Sequence, residues 1–412
     1  KIMIQMENIN KYMFQKIDEL LKNGSLNNKK IVLFGLNTSS YAAKEYLETR
    51  QMKVFAYVDN DRRKIEEMND FIEDVLPRHM RGSSYKTESE NLVKAYYPET
   101  LLGKFDDGYA ILIASKYYVQ MKEQLQKMGY IEKKHIYQIV DFYGLDEQIG
   151  EYQAGIGYRE MTADEVRQVQ LDILKQVKKI CTEQGLRYYL CGGTLIGAVR
   201  HKGYIPWDDD IDVIMPYQDY LKFINYIDKN SKEYAILSPY NNSDKCFTFF
   251  ARMIKNNTIM KWWEYPFLMT SGVSIDIFAL SGLPEREDEI QYFYNKVRRL
   301  NTKFISSFLK MNPDEEAEKK RREMIRMEIL SMLEQYQFDT SKKAFCISKY
   351  KEKEILPTAL YKEKQRMLFE GEEYNVAAGY DIYLKSLYGD YMKLPPENQR
   401  TGCHSYRAYI IR

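Results

Sequence analysis

The sequence is poor in the features of membrane, secreted and zinc-dependent proteins. Its 412 residues include only five cysteines and four histidines. Widely spaced cysteines without a C-x-x-C pair favour free thiols in a reducing compartment, and the scattered histidines are too few for a zinc site. No apolar run approaches the roughly 20 residues of a transmembrane helix, and the N-terminal stretch lacks the apolar segment of a signal peptide. We therefore expect a cytoplasmic location, either free or peripheral at the inner face of the membrane.

Neither sign of charge is in excess. The chain has 61 basic and 59 acidic residues and a net charge of +2. A general nucleic-acid binder shows a basic excess, so nucleic acid is not an expected partner. The length allows two or three domains, and 44% hydrophobic residues suffice for a large core.

Residues 1–150 have the pattern of a degenerate Rossmann-like α/β domain. Apolar strands predicted at 30–35, 53–59 and 109–115 alternate with helices, which is typical of a parallel sheet. The turn after the first of these strands has Asn37 and Ser40 where the dinucleotide fingerprint needs glycines. We therefore favour a docking or vestigial nucleotide-sugar role over an active NAD site. Residues 62–108 are expected to form an irregular excursion.

Residues 151–412 are predicted to form a second, α+β domain with helical additions. A polar, glycine-containing bridge at 144–157 separates the two units. The helix predicted at 162–184 begins with a capping box, Thr162 and Glu165. Residues 285–337 are highly charged with helical spacing and are interpreted as a helical subdomain, whose solvated faces explain the charges.

The most informative stretch is 191–216, CGGTLIGAVRHKGYIPWDDDIDVIMP. Four of five consecutive residues are carboxylates, and β-forming residues follow: Asp208, Asp209, Asp210 and Asp212. Because side chains alternate across a strand, Asp210 and Asp212 are expected on one face, and Asp209 on the other. Repelling carboxylates on one face favour a hard cation, Mg²⁺ or Mn²⁺. An acidic turn leading into a strand is the alternative.

Asp276 is a candidate third ligand. It stands alone in the apolar run 273–278, VSIDIF. A buried, unpaired carboxylate is costly, so either a metal or a structural salt bridge is expected beside it. We predict that Asp210, Asp212 and Asp276 form the metal site, with Asp208 as general base or as ligand of a second metal.

A glycine turn precedes the acidic strand. Gly192, Gly193 and Thr194 lie between a predicted strand at 186–191 and a predicted short helix at 195–200. Backbone N–H groups at such a turn can receive a phosphate, although a structural turn is the simpler account of two glycines alone. The order strand, Gly-Gly, helix and Asp-x-Asp strand resembles the nucleotidyltransferase superfamily.

The resemblance narrows to one family. GGTLIGAVRHKGYIPWDDDIDVIMPYQDYLKF is similar to the signature of the LicD family of phosphocholine transferases, to which animal fukutin-related protein is distantly similar. Further matches occur in the family's order at Arg252–Lys255, IDIF at 275–278, FEG at 369–371 and LYGDYM at 387–392. The similarity covers about residues 158–412.

The resemblance implies a metal-dependent transferase. The expected reaction transfers phosphocholine, or else ribitol or glycerol phosphate, from a CDP-activated donor to a glycan hydroxyl and releases CMP. The acceptor is expected to be a cell-surface glycan or its lipid-linked precursor. Nucleotidyl transfer with release of pyrophosphate uses the same carboxylates and remains open. A non-catalytic sugar-nucleotide-binding scaffold is the third possibility.

Several basic and aromatic residues are candidate substrate contacts. Cations offset charge in phosphoryl transfer, and aromatic faces attract quaternary ammonium groups, although surface charge and core packing explain such residues equally simply. The candidate phosphate contacts are Arg200, Lys202, Arg252, Lys255 and His404. The candidate aromatic contacts are Trp207, Trp262 and Trp263, the last two of which, with Tyr265, are candidates for a choline box.

Overall fold

The computed structural model describes residues 4–74, 93–241, 243–264, 267–309, 315–397, 400 and 405–411. Within them, the α-helices are α1 Asn10–Lys22, α2 Thr38–Thr49, α3 Arg62–Asp74, α4 Pro98–Leu102, α5 Tyr118–Lys127, α6 Phe142–Glu151, α7 Ala163–Gln184, α8 Gly192–Ile196, α9 Tyr217–Asn230, α10 Glu287–Leu309, α11 Glu315–Gln335 and α12 Tyr380–Tyr388. The strands are β1 Gln5–Asn8, β2 Lys30–Phe34, β3 Val54–Val58, β4 Ala95–Tyr96, β5 Tyr109–Ile113, β6 Ile136–Gln138, β7 Tyr158–Glu160, β8 Tyr189–Leu190, β9 Asp212–Pro216, β10 Tyr234–Leu237, β11 Ala251–Lys255, β12 Thr258–Glu264, β13 Phe267–Ser271, β14 Ser274–Gly282, β15 Lys343–Phe345, β16 Leu356–Pro357, β17 Lys364–Phe369, β18 Glu372–Ala377 and β19 Tyr406–Ile411.

The chain folds into two compact units of mixed α/β structure. The smaller unit comprises Asn8–Gln148 and Leu309–Pro313, and the larger comprises Lys1–Glu7, Ile149–Phe308 and Asp314–Arg412. Among the described residues, this division differs from the predicted 1–150 and 151–412 at residues 4–7 and 149–150, which lie in the larger unit, and at Leu309, which lies in the smaller one.

The smaller unit is built on a parallel five-stranded sheet in the order β4-β3-β2-β5-β6. Its central strands β2 and β5 are apolar and buried, as expected for a sheet covered by helices. The prediction of an irregular segment at 62–108 is wrong in part, because α3, β4 and α4 lie there.

The turn after β2 in the smaller unit uses its backbone N–H groups internally. The Asn37 side chain accepts a hydrogen bond from the Ser40 N–H at 3.0 Å and caps α2. The buried Asp59 carboxylate at the end of β3 accepts one from the Leu36 N–H at 2.6 Å. Two donors that a phosphate would need are therefore already paired within the protein.

The larger unit contains the sheet on which the predicted acidic residues lie. Its continuous path runs β10-β11-β14-β15-β16, and β9 pairs in parallel with the first part of β14 and antiparallel with β8. A second sheet has the order β1-β13-β12-β19-β7, and β17 and β18 form a hairpin.

The helices of the larger unit follow the sequence pattern closely. The capping box predicted at the start of α7 is present, with reciprocal hydrogen bonds between Thr162 and Glu165. The charged region predicted to be helical contains α10 and α11. No helix among the described residues is both long and apolar enough to cross a bilayer.

Candidate active site

Two adjacent parallel strands bring Asp212 and Asp276 together. Asp212 is the first residue of β9, and it is the register partner of Asp276 in β14. Paired residues of parallel strands project to the same face of a sheet, so both carboxylates lie on one side. Arg252 of β11 pairs with Asp276 from the other side, and its Nε lies 3.2 Å from Asp276 Oδ1. The salt-bridge alternative considered for Asp276 is therefore observed, and the metal alternative stays a prediction.

The other three aspartates lie in the loop before β9. Asp208, Asp209 and Asp210 each present a carboxylate oxygen within 4.8 Å of the others, a spacing that could hold a metal ion. The prediction that Asp209 faces away from Asp210 is wrong. Strand alternation begins only at Asp212, because Asp208–Asp210 are not part of the strand.

Side chains from α7 hold this acidic loop by its backbone. Arg167 donates from Nη2 to the carbonyl oxygens of Pro206 and Asp208, at 2.9 and 2.8 Å. Gln170 donates from Nε2 to the Asp209 carbonyl at 2.9 Å. These bonds satisfy loop carbonyls that a strand would satisfy by pairing, and they fix the carboxylates without neutralising them.

The β17–β18 hairpin supports the preceding segment. The Glu370 carboxylate at its tip accepts from the Tyr204 N–H at 2.9 Å, and the Glu370 N–H donates to the Lys202 carbonyl at 3.0 Å. Residues 369–371, noted in the sequence as a matching motif, thus position the chain that leads into the acidic loop.

The two glycines allow the backbone to approach these carboxylates closely. Helix α8 begins at Gly192 rather than after the glycines. A Cβ built on Gly192 would lie 2.6 Å from Asp212 Oδ2, and one built on Gly193 would lie 2.5 Å from Asp208 Oδ2. Gly192 also has a φ of +56°, which favours glycine. Thr194 faces the strand, where its Oγ1 accepts from the Asp212 N–H at 2.8 Å.

A cavity of about 650 Å³ opens over these groups. Its described lining contains six carboxyl side chains and two cationic ones, those of Arg252 and Lys349. The carboxyl side chains are those of Asp208, Asp209, Asp210, Asp212, Asp276 and Glu354. Negative charge therefore exceeds positive charge when these groups are ionised, and the cavity favours a cationic partner.

The crowding of these carboxylates disfavours their ionised forms. Burial, together with the neighbouring Asp210 and Asp209 carboxylates, raises the pKa of Asp208 to about 8. Burial, followed by repulsion from Asp210, Asp276 and Asp208, raises the pKa of Asp212 well above its usual range. Like charges at short range have this effect when no cation compensates them.

The donor set fits a hard divalent cation. Carboxylate oxygens are the ligands that Mg²⁺ and Mn²⁺ prefer, and a divalent cation among these carboxylates would offset the repulsion that raises their pKa values. Asp210, Asp212 and Asp276 are the predicted ligands. Asp208 and Asp209 lie close enough to Asp210 to join them.

We expect the metal-free protein to lose stability as pH rises towards 8. Raised folded pKa values mean that the folded state binds protons more tightly than the unfolded chain between about pH 4 and pH 8, so the free energy of unfolding falls across that window. Asp208→Asn removes one such group. It should raise Tm at pH 8 in EDTA by roughly 2–4 °C, the shift for about 1 kcal/mol in a domain of this size.

The measurement is the Tm of parent and Asp208→Asn as a function of pH. Their difference should shrink towards pH 4 and vanish below it, where Asp208 becomes protonated in the unfolded chain as well as in the folded protein. A difference that is constant with pH, or largest at low pH, would contradict the assigned sign.

The other predicted phosphate contacts are not among the residues described as lining the cavity. Arg200 and Lys202 donate to backbone carbonyls, Arg200 to Tyr391 at 2.6 Å and Lys202 to Val199 at 3.2 Å. Lys255 forms an ion pair with Glu233 at 3.1 Å. None of these three lines the cavity in the described residues, and His404 lies outside the described residues.

Some of the predicted aromatic contacts line the cavity and others do not. Trp207 and Trp262 line the cavity, and Trp263 does not. The Arg252 guanidinium lies 5.8 Å from the centre of the Trp262 ring, so that ring already has a cation nearby. Tyr265 lies outside the described residues.

A second group of cavity residues was not among the predicted site residues. Lys349 and Glu354 come from the segment between β15 and β16, and Tyr383 and Tyr388 come from α12. They lie more than a hundred residues after the acidic loop. The pairing of β14 with β15 helps to bring the segment of Lys349 and Glu354 to the site.

The comparisons with known proteins agree with this geometry. The family described as "LicD/FKTN/FKRP, nucleotidyltransferase domain" matches residues 185–310. The chain is 31% identical over 285 residues to the lipopolysaccharide cholinephosphotransferase LicD of Haemophilus influenzae, which covers 61% of this chain and 100% of that protein. It is also 31% identical over 87 residues to an uncharacterized protein of Rickettsia typhi, covering 19% of this chain and 26% of that protein. Similarity along the whole of the Haemophilus protein, with the glycines and aspartates gathered at one cavity, shows that the chain belongs to the LicD family.

Proposed function

We propose that this protein transfers phosphocholine from CDP-choline to a glycan hydroxyl and releases CMP. The observation that carries the proposal is the carboxylate-lined cavity in a chain similar to a cholinephosphotransferase over that protein's entire length. The acceptor is a cell-surface glycan or its lipid-linked precursor. The proposed location is cytoplasmic, at the inner face of the membrane.

The proposed fold assignment follows from the same site. We interpret the larger unit as a nucleotidyltransferase fold, because strand β8, helix α8 and acidic strand β9 follow one another and Asp276 lies on the adjacent strand. The smaller unit is interpreted as a degenerate Rossmann-like domain. The backbone N–H groups of Leu36 and Ser40, in the turn after β2, already donate to the side chains of Asp59 and Asn37. This supports a docking or vestigial role over NAD binding.

In the proposed reaction the acceptor oxygen forms a bond to the phosphorus that carries choline. The bond from that phosphorus to the oxygen of CMP breaks, and CMP leaves with the electron pair. Asp208 is a candidate to receive the hydroxyl proton, because its carboxylate lines the cavity within 4.8 Å of the Asp209 and Asp210 carboxylates. Asp208 as ligand of a second metal is the alternative role.

The remaining residues hold and orient the groups. Arg252 fixes Asp276 through their 3.2 Å contact, and Arg167 and Gln170 fix the acidic loop. Mg²⁺ or Mn²⁺, when bound to Asp210, Asp212 and Asp276, would offset their charge and polarise the phosphate oxygens. Lys349 adds a second cation to the cavity lining.

The donor assay tests the proposal directly. Purified protein with Mg²⁺, an acceptor glycan and CDP-choline should release CMP and label the glycan with choline. CDP-ribitol and CDP-glycerol are run in parallel, and CTP replaces the CDP donor in a fourth reaction. Release of pyrophosphate from CTP would favour nucleotidyl transfer, and preference for CDP-ribitol or CDP-glycerol would reject choline while retaining the reaction class.

A further inference from the structure

One carboxyl group in the cavity has no role in the chemistry described above. Glu354 ends the 3₁₀ helix Lys351–Glu354, and only 5% of its surface is exposed. It lines the cavity, yet no described group hydrogen-bonds to its Oε2. A buried acceptor without a partner costs free energy, and in native proteins it commonly marks a place that a ligand or water completes.

Aromatic side chains line the cavity together with Glu354. Tyr383 and Tyr388, both from α12, line the cavity with it, and Tyr350 donates from its hydroxyl to that of Tyr388 at 2.7 Å. The Tyr350 and Tyr388 ring centres lie 5.1 Å apart. An acidic group that lines a cavity with aromatic rings suits a quaternary ammonium ion, whose positive charge compensates the carboxylate without a hydrogen bond and interacts with ring faces.

This end of the cavity adjoins the predicted phosphate site. The Gly192 N–H donates to the Tyr383 hydroxyl at 3.4 Å, while the Gly192 Cα faces the Asp212 carboxylate. One residue thus separates the tyrosine group from the acidic group. Phosphocholine requires this proximity, because two carbon atoms link its phosphate oxygen to its nitrogen.

We propose that Glu354, with the rings of Tyr383 and Tyr388, binds the trimethylammonium head of the donor. The subsite rests on the proposed phosphocholine transfer and adds the residues that distinguish choline from a neutral alcohol. Trp262 is less suited to this role, because the Arg252 guanidinium already lies over its ring.

The electrostatics of Glu354 agree with a cationic ligand. Burial raises the pKa of Glu354 to about 7, against smaller lowering effects of hydrogen bonds from Ser348 and Cys346 and of the Lys349 charge. The other titratable groups facing it are Cys191, Tyr361 and Tyr383. A bound cation stabilises the ionised carboxylate, so binding of a choline donor near pH 6.5 should release a proton from Glu354.

The test compares one donor whose alcohol is cationic with one whose alcohol is neutral. CDP-choline, CDP-glycerol and CMP are titrated calorimetrically into the full chain with Mg²⁺ and without acceptor, in two buffers of different ionisation enthalpy. Glu354→Gln should weaken CDP-choline binding by roughly tenfold or more, the scale of a lost contact to a charged group. It should change CDP-glycerol and CMP binding less than about twofold, and abolish the extra proton release seen with CDP-choline.

Two further variants separate recognition from folding. Glu318→Gln removes a buried carboxyl on α11 that does not line the cavity and should leave the preference for CDP-choline unchanged. Tyr388→Leu removes a ring and should weaken CDP-choline selectively, whereas Tyr388→Phe, which keeps the ring, should not.

The outcomes are distinct. A parent protein that binds and uses CDP-glycerol in preference to CDP-choline rejects both the proposed function and this subsite. A parent that prefers CDP-choline, with that preference intact in Glu354→Gln and Tyr388→Leu, rejects the subsite alone and leaves the proposed function standing.

Discussion

Asp212→Asn should lower the rate of phosphocholine transfer at least about a hundredfold, the loss expected when a preorganised electrostatic contact is removed. Asp212 and its register partner Asp276 share one face of the sheet, and the amide keeps the shape of the side chain while removing its charge. Asp210→Asn and Asp276→Asn should have effects of the same size. Initial rates of CMP release at saturating Mg²⁺ measure each loss.

Thermal unfolding provides an independent readout of these three variants. Added Mg²⁺ should raise the Tm of the parent protein and raise that of each variant less. Without metal, Asp212→Asn should be at least as stable as the parent, because it removes a carboxyl whose ionised form is disfavoured. Asp276→Asn should instead be less stable, since it takes the partner from the buried Arg252 guanidinium.

The choice of control follows from the loop geometry. Asp209 lines the cavity beside Asp208 and Asp210, so Asp209→Asn cannot serve as a control that is expected to keep full activity. Asp228→Asn, at an exposed site on α9, should retain parental rate and metal response. Parental activity in Asp212→Asn, or an undiminished Mg²⁺ effect on Tm in all three acidic variants, would reject the proposed metal site.

The sequence analysis identified acidic residues that line the cavity, but it did not predict the backbone conformation of residues 208–210. An apolar run with one carboxylate in it correctly indicated the strand that contains Asp276, because the side-chain period of a strand is local information. The same period, applied to residues 208–210, failed. There Arg167 and Gln170, about forty residues away, hold the loop carbonyls, and a local pattern contains nothing about such distant donors.

Long sequence separation also hid Lys349, Glu354 and the cavity tyrosines. Apart from Tyr388, which lies in the LYGDYM motif at 387–392, they belong to no motif noted in the sequence, and the chain has 36 tyrosines in all. Their significance depends on strand pairing between β14 and β15 and on burial, neither of which composition specifies. The aromatic pair that did attract notice, Trp262 and Trp263, alternates across β12, so only Trp262 reaches the cavity.

Gly192→Ala should abolish most of the activity while costing only modest stability. The new Cβ would lie 2.6 Å from Asp212 Oδ2, a distance that real Cβ contacts do not adopt, so the carboxylate must move. The φ of +56° adds backbone strain, which costs on the order of 1–2 kcal/mol for a residue with a side chain. We expect at least about a hundredfold loss of CMP release, comparable to the loss of a positioned electrostatic group.

Gly185→Ala is the control that separates the effect of backbone strain from the effect of displacing the Asp212 carboxylate. Gly185 ends α7 with a φ of +64°, close to that of Gly192, but a Cβ there would meet nothing within 4 Å. Both variants should therefore lose similar amounts of Tm from the left-handed backbone, and only Gly192→Ala should lose turnover and the Mg²⁺-dependent rise in Tm. Equal activities in the two variants would show that Asp212 tolerates the shift, and that the close approach of Gly192 to it has no part in the reaction.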